Sequence, residues 1–145
     1  MPFSETEKTR RSVDSTYVFD SFALMAHFEG ESRGKKATEL LSKALSGKPV
    51  IYMSVINIGE VYYITMRERG IEKAEEMMML LEQLPIRVLP SDKELTIEAA
   101  KLKASHPVAY ADCFAAALAM KKNVKVVTGD PEFGKFEKKV GILWI

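Results

Sequence analysis

Five short apolar runs separated by helical segments constrain the fold of this chain more than any other feature. STYVF ends at Phe19, VIYM spans Val50 to Met53, IRVL spans Ile86 to Leu89, KVVT spans Lys125 to Thr128, and the last runs from Ile142 to Ile145. Between them, Ala37, Leu40, Leu41 and Ala44 recur at helical spacing. So do Ala74, Met77, Met78, Leu81 and Leu84, and later Leu95, Ala99 and Leu102. Mostly apolar strands alternating with helices predict a parallel sheet covered on both faces. The expected fold is therefore α/β, a three-layer α/β/α sandwich around a central parallel five-stranded sheet.

Punctuation sharpens the boundaries. Gly47 and Pro49 end a helix over Gly34 to Leu45, and Ser54 is placed to cap a helix over Val55 to Arg69. Gly70 closes that helix, and Pro85 breaks the next one, Ile71 to Leu84. Helices are also expected over Ser21 to Phe28, Asp92 to Ala104, from Tyr110 onward, and near Pro131 to Lys138. Residues 1–14, MPFSETEKTRRSVD, show no apolar period and read as a mobile N-terminal extension, leaving 15–145 as one domain. A chain of 145 residues can bury its own core without disulfides, and Cys113 is the only cysteine. No apolar run approaches the roughly 20 residues that span a bilayer. With one cysteine and no secretory h-region, a cytoplasmic protein is expected. A net charge of +1 argues against holding a polyanion by bulk charge alone.

Four acids carry the chemistry. Asp20 stands where the first strand meets a helix, and Asp130 follows the fourth strand. In such sheets ligands bind at the carboxyl ends of strands, near the point where strand order reverses. Glu60 has Ile56, Asn57, Tyr63 and Ile64 as its helical neighbours, an apolar setting in which a carboxylate faces a desolvation cost. Gly59 beside it gives up about 1 kcal/mol of helix propensity, which suggests a close backbone approach there. Asp112 is followed by Ala115 and Ala116, small residues that let its helix pack tightly and draw the carboxylate inward. Each has a plain structural explanation beside the functional one. Asp20 and Asp130 suit helix caps, Asp112 suits the positive end of a helix, and Glu60 suits a lysine-paired surface residue.

Gathered at one rim, the four would repel one another unless a cation sat among them. Hard oxygen ligands without histidine or thiolate suit Mg²⁺ or Mn²⁺, and such a site serves phosphate chemistry. Lys121, Lys122, Lys125, Arg67 and Arg69 are candidates for a basic rim, or simply solvated helix ends. Met77 to Met79 suit core packing for at least part of the run, or a protein-binding surface. His27 and His106 are too few and too badly placed for a triad or zinc site, and Cys113 reads as a buried thiol.

Four segments, VFDSFALMAHFEGE, VINIGEVYY, YADCFAAALA and VVTGDPEF, resemble in order and spacing the PIN-domain family, most closely its VapC-type ribonuclease toxins. The likeness extends from Thr16 to Ile145. It implies a metal-dependent endoribonuclease that hydrolyses single-stranded RNA to 5′-phosphate and 3′-hydroxyl ends, with single-stranded or structured RNA as its binding partner. It further implies the toxin of a VapBC-like pair, a homodimer inhibited by a VapB-like antitoxin. The family's acid set falls on Asp20, Glu60, Asp112 and Asp130, with Asp20 and Asp112 as direct ligands of Mg²⁺ or Mn²⁺ and the other two direct or through water. Ser21 and Thr128 match supporting polar positions. The N-terminal extension departs from the toxins' pattern.

Other readings of the same residues have their own signatures. A PIN nuclease of RNA processing, or an inactive RNA- or cation-binding module, would keep the fold. A dehalogenase-like phosphatase resembles a DxD pattern, but Phe22 follows Ser21 here. A receiver-like domain needs an acid directly after the third strand, where this chain has Pro90, Ser91 and then Asp92.

Overall fold

A computed structural model describes residues 16–145; the extension expected over 1–14, and Ser15, lie outside the described residues. Strands β1 (Thr16–Phe19), β2 (Val50–Ser54), β3 (Ile86–Leu89), β4 (Lys125–Thr128) and β5 (Ile142–Trp144) form one sheet in the order β3-β2-β1-β4-β5. All four pairings are parallel. Helices α1 (Ser21–Glu29), α2 (Gly34–Ala44), α3 (Val55–Arg69), α4 (Ile71–Glu82), α5 (Lys93–Ser105) and α6 (Tyr110–Lys122) connect the strands, with a 3₁₀ turn over Pro131–Phe136. The expected three-layer sandwich is the one observed.

Alternation along the central strands divides the core. Val18 and Val126 pack on one face with α5, α6 and the 3₁₀ turn. Phe19 and Val127, their immediate neighbours, pack on the other with α1, α3 and α4. Both faces are thus apolar, which explains why the strands lack a polar stripe.

Helix ends depart from expectation by a residue or two, for local reasons. α4 stops at Glu82 because Leu84 precedes Pro85, whose ring disfavours helical backbone before it. The segment after Asp130 is a 3₁₀ turn. Its three-residue repeat puts Phe133 and Phe136 on one side, both fully buried and meeting edge to face at 5.6 Å.

The chain winds outward from β1 to β3, then crosses back to β4 and β5, so the strand order reverses between β1 and β4. α1 and α3 begin at the carboxyl ends of β1 and β2. α6 reaches β4 through a short turn at Asn123 and Val124, so its C-terminus lies at the amino edge of the sheet. Its N-terminus lies at the carboxyl edge, over the switch point.

Candidate active site

The acids come together at that carboxyl edge, by different local devices. Asp20 is the N-cap of α1: its Oδ1 accepts from the Ala23 N–H at 2.9 Å. Its Oδ2 accepts from Thr128 Oγ1 at the end of β4. That hydroxyl also accepts from the Asp130 N–H at 3.0 Å, and Asp130 Oδ1 in turn caps the 3₁₀ turn through the Glu132 N–H at 2.9 Å. Capping therefore explains the geometry of Asp20 and Asp130 without excluding a further role. Asp112 occupies the first turn of α6, where Asp112 to Ala119 are all buried. Its carboxylate has no hydrogen-bond donor among the described residues.

Electrostatics links the group. Burial pushes the Asp20 carboxyl up to about 8, against the lowering pull of the Thr128 and Ala23 hydrogen bonds, and Asp112 and Asp130 raise it further. Burial first, then the charges of Asp130, Glu60 and Glu132, raises Asp112 to about 7. Asp112 thus feels Glu60, Asp130 and Glu132, two residues beyond Asp130, while Asp20 feels Asp112 and Asp130. Two carboxyls held this far above their ordinary range at one edge of the sheet mark it as a candidate functional site.

The details correct the sequence reading in three places. Glu60 is only half-buried, with Ile56 and Tyr63 beside it exposed, so the desolvation expected of it falls instead on Asp20 and Asp112. Gly59 makes no close approach: a Cβ there would meet nothing within 4 Å. Lys121, Lys122 and Lys125 do not rim the acids. Lys122 lies over the Tyr52 ring at 4.4 Å, and Lys121 meets Asp92, just beyond β3, at 4.0 Å. From Asp112 to Lys122 the helix rises about 15 Å. Arg67 stacks on Tyr63 at 5.2 Å, nearly two turns beyond Glu60. The histidines stay outside the site, His27 with Thr38 and His106 with the Leu102 carbonyl. Burial pushes the Cys113 thiol up, away from a reactive thiolate. Met77 is buried and Met79 exposed, so the run is partly core and partly surface.

Two side chains that sequence reasoning passed over belong here. Asn57 is fully buried and donates through Nδ2 to Ser21 Oγ at 3.2 Å and to the Ala111 carbonyl at 3.1 Å. Ser21 Oγ donates back to the Asn57 carbonyl at 3.2 Å. Asn57 Oδ1 is buried with no partner. A polar amide one turn before Glu60, between two isoleucines, was the available signal. Glu132 is exposed and paired with Lys135 at 2.8 Å, and only its closeness to Asp130 in the sequence could have pointed to it.

The donor set fits a hard divalent cation. It consists of carboxylate oxygens, with an unpartnered Asp112 carboxylate and an orphaned buried amide oxygen near it. Among the described residues no three histidine, cysteine or acidic side chains lie close enough together to hold a metal ion as they stand.

A family model described as PIN domain matches residues 17–139, and the chain belongs to the PIN-domain family. Among solved structures, the fold is similar to DNA-bound VapBC from Salmonella typhimurium, with 18% identity, 89% of this chain and 97% of that chain covered, and a TM-score of 0.71. It is also similar to VapC20 of Mycobacterium tuberculosis, a toxin that cleaves the sarcin-ricin loop (20% identity, 81% and 92% covered, TM-score 0.67). VapBC2 from Rickettsia felis, bound to a promoter DNA fragment, matches at 14% identity over 90% and 98%, with a TM-score of 0.69. No curated protein matches by sequence.

Proposed function

We propose that the chain is a divalent-metal-dependent endoribonuclease acting on single-stranded RNA, and the toxin of a VapBC-type pair. The observation that carries the reading is the pair of buried carboxyls, Asp20 and Asp112, raised to about 8 and about 7 among three further acids at the switch point of the sheet. Membership of the PIN family supports nuclease chemistry, and the fold's likeness to VapC toxins and VapBC complexes supports a VapB-like antitoxin as partner. Among the described residues no helix is long and apolar enough to cross a membrane, which accords with a cytoplasmic protein. A homodimer is proposed on the family resemblance.

In this reading Asp20 and Asp112 hold Mg²⁺ or Mn²⁺, with Glu60 and Asp130 completing the site directly or through water. The bound cation supplies Lewis acidity, neutralising phosphate charge and making water a stronger acid. Asp20 stays in place because both its oxygens are already fixed, by Ala23 and Thr128. Asp112 is held by the first turn of a helix buried against the sheet. In this reading Glu60 and Asp130, both half-exposed, would take the proton of an attacking water. As the water oxygen bonds to phosphorus the phosphorus–O3′ bond breaks, leaving a 5′-phosphate, and the 3′ oxygen takes a proton from solvent water and leaves as a hydroxyl. Thr128 and Ser21 support the site: Thr128 ties Asp20 to Asp130, and Ser21 ties α1 to α3.

The test is cleavage of single-stranded RNA with Mg²⁺ or Mn²⁺. Activity should vanish with EDTA and fall at least a hundredfold in Asp112→Asn. Cleavage that survives both removes the mechanism.

A further inference from the structure

Three of the acids ride on three separate helices, and one side chain touches all three helices at the turns concerned. Asn57 lies on α3, one turn before Glu60. Its Nδ2 donates to Ser21, the residue after Asp20, and to the carbonyl of Ala111, the residue before Asp112. The orientation of the amide is fixed by chemistry, because the Ala111 carbonyl can only accept and so must face the NH₂. The Ser21 hydroxyl returns a hydrogen bond to the Asn57 carbonyl, closing the link between α1 and α3 in both directions.

The arrangement is costly for a residue that serves packing alone. Asn57 is fully buried, and its Oδ1 has no partner. A buried, unpaired acceptor disfavours folding, and an apolar side chain of similar size would avoid the loss. What an apolar residue cannot do is bind two neighbouring helices at once through a forked donor. The fourth acid, Asp130, has its own clamp in Thr128, and both clamps meet at Asp20 and Ser21.

We propose that Asn57 is a positioning residue: its amide braces the helices that carry Asp20, Glu60 and Asp112, setting the spacing of these carboxylates for a cation. This rests on the proposed metal-dependent reading for its consequences in activity, but not for its geometry.

The experiment compares Asn57→Ala with Val61→Ala, a fully packed position one turn along the same helix. Both should lower the melting temperature. Only Asn57→Ala should weaken Mn²⁺ binding, measured by electron paramagnetic resonance without RNA, by about tenfold or more, the size of effect expected when a side chain supporting metal ligands is lost. Its kcat should fall while KM for RNA stays near the parent value. Ser21→Ala should give a smaller change in the same direction, and Ser21→Thr should restore it. A crystal structure of Asn57→Ala should show the first turn of α6 displaced from α1. If that structure keeps Asp20 and Asp112 in place, the brace is wrong, whatever the protein cleaves. If the turn moves but the parent protein neither binds Mn²⁺ nor cuts RNA, the brace stands and the nuclease reading falls. Equal loss of Mn²⁺ affinity in Val61→Ala would reduce Asn57 to an ordinary packing residue.

Discussion

Thr128 Oγ1 donates its hydrogen bond to Asp20 Oδ2, joining the ends of β4 and β1 across the point where the strand order reverses. Both residues are buried, and the same hydroxyl receives the Asp130 N–H. Thr128→Val keeps the shape and removes the donor. Because this hydrogen bond holds the Asp20 carboxyl down, the variant should raise it above its present value of about 8. The loss should cost about 1–3 kcal/mol, the range for removing one partner of a buried pair. Chemical denaturation checks the stability and metal titration checks the site. Thr128→Ser should retain both properties. Unchanged stability in Thr128→Val would show that the bond contributes nothing.

The two raised carboxyls set a pH dependence opposite to that of most carboxylates. Asp20 and Asp112 titrate at about 8 and about 7 in the folded chain, against 3.8 for an ordinary aspartate. Between about pH 4 and 8 the folded chain keeps protons that the unfolded chain has released, so stability falls as pH rises. Their favourable contribution is complete below about pH 4 and is lost as pH climbs through the two folded values. A divalent cation binds the ionised form, so Mg²⁺ or Mn²⁺ should raise the melting temperature at pH 8.5 and scarcely at pH 5. In Asp20→Asn/Asp112→Asn, melting followed across this range should lose both the slope and the rescue by metal. A metal-free protein that grows more stable from pH 5 to 8 by virtue of these two residues contradicts the assignment.

The sheet was legible because its signal is redundant. Five apolar runs, each bounded by glycine, proline or a capping residue, agree with one another, and local errors shift an end by only one or two residues. The site was legible as a set of acids but not as a hierarchy. Glu60 drew attention because its helical neighbours are apolar, yet Ile56 and Tyr63 turn out to be exposed. Helical spacing reveals which residues share a face, not whether that face is covered. Asp20 looked like a mere cap, and it is one, but its second oxygen meets Thr128, 108 residues away in sequence. Asn57 and Glu132 act through such long-range or through-space relations, which no local pattern encodes. The lysines at the end of α6 stayed open between a basic rim and solvated helix ends, because helix direction relative to the sheet, likewise absent from any local pattern, decides between the two.

Gly129 sits between the Thr128 clamp and Asp130, and its missing side chain is a requirement of packing. A Cβ there would lie 2.3 Å from Phe22 Cε1, 2.7 Å from Phe22 Cζ and 2.9 Å from the Ile145 carbonyl oxygen. Gly129→Ala should therefore displace the Phe22 ring and the end of β5, with a cost of about 1–3 kcal/mol. Phe22 is two residues from Asp20, so metal affinity should fall along with the melting temperature. Adding Phe22→Ala should recover part of both, since the ring clash goes and the carbonyl contact remains. Gly129→Ala with parental stability would mean that Phe22 moves aside freely.

Trp144 offers a direct view of how a strand would cross this edge. It is the only tryptophan, it is 42% exposed, and it pairs in register with Thr128 on the neighbouring strand. Adjacent strands lie about 4.8 Å apart, so its backbone stands one strand from the Thr128 clamp and close to Asp130. Large aromatic surface left in water beside the proposed site suits stacking against an unpaired base, an interaction worth about 1–3 kcal/mol. In the cleavage-deficient Asp112→Asn, single-stranded RNA should therefore quench the tryptophan fluorescence, and a duplex of equal length should quench it far less. Trp144→Ala should weaken single-strand binding by about tenfold, within that range, and leave kcat near the parent value at saturating RNA. Fluorescence that does not change while RNA binding is saturated would route the strand away from β5, toward the α3 side of the acids where Tyr63 is the exposed ring.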